Sequence, residues 1–154
     1  MILIQNYGGE SIMRCLGIAI KKNEIWYAVV EGTSMDLAEV IDTGKHIYRS
    51  EDPKLIMEFN NIFVELITKY HPDRVVYKLS LDVTMQQIPY MHYSLGVLNL
   101  ICLQRGIFIR ERSSRWITAN KKAKINSFVS NFNDKNFKNE ELAASLMAWY
   151  EMEE

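Results

Sequence analysis

Cysteine, histidine and proline are scarce in this chain: 154 residues carry two, three and three of them. Cys15 and Cys102 stand far apart in apolar surroundings, which excludes a disulfide framework and a cysteine-rich metal site. They read as buried thiols in a reducing compartment, so the expected location is cytoplasmic. His46, His71 and His92 have no metal-ligand spacing with one another or with the cysteines, and read as surface or turn residues. A phosphate-cradling glycine loop and a dinucleotide fingerprint are both missing. So is a long apolar run: Tyr90 to Gln104 is interrupted by polar residues and too short to cross a bilayer, which argues against a membrane partner. Neither sign of charge dominates, with 18 Lys and Arg against 19 Asp and Glu. Any attraction to a polyanion must then come from a local patch.

What remains is an ordinary globular composition, 48% hydrophobic and 24% charged, in a chain long enough to bury one core. No repeat, low-complexity tract or long linker divides it, so residues 13–154 are expected to form a single domain. The first twelve residues lack the basic and apolar segments of a signal peptide. They read as a short arm or a mis-assigned start, with Met13 the expected beginning. "RCLGIAIKKNEIWYAVVEG" reads as two strands joined by a tight turn at Lys22-Asn23. A third strand, from Leu37 to about Ile47, is expected at an edge because charges interrupt it. Asp52 as N-cap and Pro53 as first helical residue introduce a helix. Its inner face is Leu55, Phe59, Ile62, Phe63, Leu66, Ile67 and Tyr70. His71-Pro72 stops that helix. A strand at Asp73–Leu81 follows, then a helix at about Met91–Arg105 ended by Gly106, and a short strand "IFIRE". A short helix from Ser113 or Ser114 to Lys122 and a final helix in "NEELAASLMAWYEM" complete the order β-β-β-α-β-α-β-α-α. This is an α/β class: three antiparallel strands, then two parallel ones, in a mixed five-stranded sheet flanked by helices.

From Arg105 to Lys124 the chain carries Arg105, Arg110, Arg112, Arg115, Lys121, Lys122 and Lys124 against one acid, Glu111, with Trp116 among them. Basic side chains beside an aromatic bind phosphates and stack a base. The same run is equally the solvated side of a strand and helix. Glu140, Glu141, Glu151, Glu153 and Glu154 form an acidic tail that offers a complementary surface to a partner protein or a second copy.

The element order and several local sequences resemble the RuvC-like Holliday-junction resolvases of the ribonuclease H-like superfamily. "CLGIAI" resembles their first strand, and "ITKYHPDRVVYKLSL" their helix-turn-strand step. "YSLGVLNLICLQRGIFIRERSSRWI" and "NEELAASLMAWY" resemble their later helices. The resemblance spans about Met13 to Met152. It implies a two-metal nuclease, with Mg²⁺ ions about 4 Å apart held by converging carboxylates. Carried over by position, the acids fall on Ala19, Lys78, Glu141 and Ala144. Read one residue earlier, the last pair becomes Glu140 and Ala143. Either way one acid survives, and a lysine at the metal position repels divalent ions.

The resemblance therefore implies a catalytically degenerate relative, without a metal or other cofactor, that binds nucleic acid (DNA or RNA) or a protein partner as a scaffold. The alternative is a Mg²⁺-dependent, structure-specific nuclease using Glu141 with a substitute acid such as Asp82. Lys78 turned into the site and paired to Glu141 would favour the first. Neutralisation of the basic stretch by internal acids would favour a protein-interaction role without nucleic acid.

Overall fold

A computed structural model describes residues 11–51, 53–79, 88–112 and 139–153. The expected arm at residues 1–12 falls almost wholly outside these, as do Asp52, Asp82 and the short helix from Ser113 or Ser114. The first strand, β1 (Met13–Lys21), is the hub of the sheet. It turns back through Lys22 and Asn23 into β2 (Glu24–Gly32), with which it pairs antiparallel along its whole length. Lys22 takes a positive φ of 55° at that turn. β3 (Glu39–Ile47) pairs antiparallel to β2, with an irregularity between Val29 and Val30. β4 (Arg74–Leu79) adds parallel to the other side of β1, and β5 (Phe108–Glu111) adds parallel to β4. The order across the sheet is β3-β2-β1-β4-β5, so β3 and β5 are the edges.

Helix α1 (Lys54–Tyr70) buries the seven residues that its periodicity marks, from Leu55 to Tyr70. It starts one residue later than expected: Pro53 lies at the cap position and makes no side-chain cap bond. The incoming chain is instead tied by Glu58, whose carboxylate accepts from the Arg49 and Ser50 amides and the Ser50 hydroxyl at 2.6–3.3 Å. His71 closes the helix in the left-handed region, with its N–H donating to the Ile67 carbonyl. Helix α2 (Ile88–Arg105) begins earlier than Met91 and so takes in Tyr90. Leu95, Leu98, Ile101 and Cys102 face inward. Gly106 terminates it at φ 67°, a conformation that costs glycine little.

Helices α1 and α2 cover one face of the sheet over a core of Leu16, Ile18, Ile20, Phe59 and Phe63. The final helix, α3 (Asn139–Tyr150), covers the other face over Cys15, Ala19, Trp26, Ala28 and Val76, and runs into a 3₁₀ turn at Glu151–Glu153. α3 sits unusually close to β1, because a Cβ at Gly17 would collide with the Ala144 carbonyl. Only glycine at position 17 lets the helix backbone rest on the strand. None of the described helices is long and apolar enough to cross a membrane.

Candidate functional site

Strand register brings one row of side chains together beneath the start of α3. Ala19 pairs with Trp26 on β2 and with Lys78 on β4, and Trp26 pairs in turn with Lys45 on β3. Just past the end of β5, Arg112 donates its amide to the Tyr77 carbonyl at 2.8 Å. The row therefore reads Lys45, Trp26, Ala19, Lys78 across β3, β2, β1 and β4. Ala19 and Trp26 belong to the core under α3, which fixes the face.

At the centre of this row stands a methyl group, fully buried at Ala19. The Lys78 ammonium lies 4.0 Å from Glu140 Oε2, with 18% of the lysine side chain and 15% of the glutamate exposed. That carboxylate oxygen is buried and accepts no hydrogen bond from the described residues. Glu140 is thus the acid beside Lys78. Glu141 turns toward the other edge, where the Thr43 hydroxyl donates to its Oε2 at 3.1 Å, and the Ser145 hydroxyl donates to its backbone carbonyl. Ala144 lies over Gly17 and offers no donor. On β3, Lys45 sits over the Trp26 ring at 4.9 Å and pairs with Glu24 at 3.2 Å.

Two divalent ions need a converging set of oxygen ligands. Here one position that the resemblance marks is a methyl, a second is an ammonium, and the two adjacent acids diverge. Among the described residues no group of three or more His, Cys, Asp or Glu is placed to hold a metal ion. The described residues at this site do not by themselves fit a metal pair.

The other end of α3 holds a different assembly. Glu151 is fully buried, yet three guanidinium groups surround it: Arg74 at 3.6 Å, Arg110 at 3.5 Å and Arg112 at 3.3 Å. Arg74, Arg110 and Arg112 lie on one face because they alternate along β4 and β5. The guanidinium groups of Arg74 and Arg110 also lie 4.9 and 5.2 Å from the Phe108 ring. Glu151 therefore does not contribute to a surface acidic tail, since burial and three cations hold it inside. Of the basic candidates, Arg110 and Arg112 serve this internal cage, and Arg105 donates to the Thr68 hydroxyl at 3.0 Å. Arg115, Trp116, Lys121, Lys122 and Lys124 lie outside the described residues.

Nucleophilic thiol chemistry is disfavoured. Burial, reinforced by nearby Glu151, pushes the Cys15 thiol up to about 12, and burial pushes Cys102 up to about 11. Both cysteines are free and buried, and at neutral pH neither forms appreciable thiolate. Sequence reasoning missed Lys45, Trp26 and Arg74 as site residues and marked Arg110, Arg112 and Glu151 only as surface charges. The i, i+2 alternation of Arg110 and Arg112 was the signal available for the cage.

No protein-family profile and no curated protein sequence matches the chain. Solved structures do. RuvC from T. thermophilus in complex with a Holliday junction substrate superposes with a TM-score of 0.67 at 12% identity, over 89% of this chain and 90% of that one. The yeast mitochondrial Holliday junction resolvase Ydc2 gives 0.66 at 10% identity, over 92% and 78%. The fowlpox virus resolvase, bound to Holliday junction DNA, gives 0.55 at 16% identity, over 92% and 97%. At such identities the likeness speaks for the fold, which is RuvC-like and ribonuclease H-like.

Proposed function

We propose that this chain is a non-catalytic, RuvC-like binding protein whose ligand is nucleic acid, with branched DNA the first probe to try. The observation that carries the reading is the in-register pair of Ala19 and Lys78, with the lysine turned into the site and facing Glu140. A nuclease of this type stabilises a leaving oxyanion with metal ions, and an ammonium at that place opposes their entry. Recognition needs no such ions, because cationic side chains neutralise phosphates directly. The two neighbouring folds solved with junction DNA support nucleic acid as the ligand class. The two buried free thiols support a reducing, cytoplasmic setting.

The test is a paired assay on the full chain. Labelled single-stranded, duplex and four-way-junction DNA are titrated by fluorescence anisotropy across a salt series, and the same substrates are incubated with Mg²⁺ or Mn²⁺. Salt-sensitive binding without cleavage is the expected result. Metal-dependent cleavage would overturn it in favour of the nuclease alternative.

One observation favours a second reading, a protein-interaction module. Helix α2 presents Tyr93, Leu100 and Leu103 outward, Leu103 with 78% of its surface exposed, while two basic candidates are already held by Glu151. An apolar stripe of that kind is a docking feature. Absence of DNA binding at low salt, together with a dimer mass by light scattering, would favour it.

A further inference from the structure

The row beneath α3 suggests what replaced the metals. Lys78 lies one strand from the centre of the sheet, paired with Ala19 on β1. Its ammonium carries three N–H donors, and no acceptor among the described residues hydrogen-bonds them. Its charged partner among the described residues, Glu140 Oε2, stands at 4.0 Å, beyond hydrogen-bond reach. The pair is neither sealed nor saturated, because both side chains keep some solvent exposure. Glu151 presents the opposite case. It is closed off from solvent and held by three cations, so no external anion competes for its place.

An ammonium with unfilled donors, facing a single carboxylate across a gap, accepts an anionic oxygen as a further partner. Lys45 is a separate cation: α3 covers Trp26 and Ala19 between the two lysines, and Lys45 already pairs with Glu24 at 3.2 Å. Lys78 therefore offers a contact to a single phosphate.

We propose that Lys78 is a phosphodiester-binding residue: a fixed cation that contacts the nucleic-acid backbone where this fold would otherwise place metal ions, and that makes binding independent of divalent metal. The inference rests on the nucleic-acid reading above and adds a residue and a metal dependence to it. Glu140 is the internal counter-ion that the phosphate displaces.

The experiment uses the full chain, labelled four-way-junction DNA, and matched titrations with EDTA or Mg²⁺. Wild type is expected to bind equally in both. Lys78→Met keeps an unbranched side chain, one atom shorter, and removes its charge. It should weaken binding about tenfold and flatten the salt dependence by about one phosphate contact. Glu140→Gln removes the competitor and should bind severalfold more tightly, a gain that a merely structural role for the pair does not produce. Wild-type binding with unchanged affinity in Lys78→Met overturns this inference and leaves the nucleic-acid reading standing, as does a Mg²⁺ requirement. Absence of wild-type binding to any DNA overturns both. Should Lys78→Met fail to fold, Glu140→Gln decides alone: tighter binding supports the inference, and unchanged or weaker binding overturns it.

Discussion

Helix α3 carries a glutamate near each end, and the two have opposite surroundings. Glu151 is wholly buried and meets three guanidinium groups, whereas Glu140 meets one ammonium at 4.0 Å and no hydrogen-bond donor among the described residues. A third carboxylate, Glu58 on α1, lies on the other side of the sheet, partly exposed and accepting three hydrogen bonds. The sequence makes all three simply Glu on a helix or its last turn. The difference lies in desolvation and in the number of partners. A charge taken out of water is held in place only if several groups replace the water. Glu151 is therefore architecture, joining the end of α3 to β4 and β5. Glu140 and Lys78 are held loosely, which is the condition for exchanging partners with a ligand.

Removing one charged group from each assembly in turn tests that ranking. Glu151→Ala leaves the arginines without their buried counter-charge and should destabilise the fold most, by about 3 kcal/mol, read from urea unfolding. A loss no larger than that of an exposed pair would break the comparison. Glu58→Gln should cost about 1 kcal/mol at neutral pH. Burial opposes ionisation of Glu58, but hydrogen bonds from Ser50 and Arg49 outweigh it and hold the carboxyl below its usual value. A lowered folded pKa means that this stability is fully present above the ordinary carboxylate pKa of about 4.3. It is lost as pH falls through the lowered folded value, so wild type and Glu58→Gln should converge in acid unfolding curves. Lys78→Met should change stability least, by less than about 1 kcal/mol. A larger loss in thermal unfolding would mean that this pair, too, is architectural.

Local physics explains what could be read in the sequence beforehand. The α1 stripe was legible because one helical face meets one core, so the period is clean. The strand order followed from turns at Lys22-Asn23 and from the need for a crossover helix between parallel strands. The start of α2 was not legible, because that helix is apolar on both its inner and outer sides and its pattern marks no boundary. The positions of Ala19 and Lys78 were readable one by one. Their neighbours were not: Lys45 joins them only through β2, and Arg74 meets Arg110, Arg112 and Glu151 only through the parallel register of β4 and β5. Glu140 and Glu141 could not be separated either, since a step of about 100° around a helix sends adjacent residues to different edges of the sheet.

The two edge strands carry a consequence for the protein's behaviour at high concentration. β3 presents Glu39, Asp42 and Lys45 and is irregularly paired opposite Val29 and Val30, while β5 is four residues long and ends in Arg110 and Glu111. A strand arriving from another molecule at either margin would have to desolvate these charges or follow an uneven ladder. Among the described strands β3 and β5 are the margins, and their charges guard the folded chain against fibre-like self-templating there.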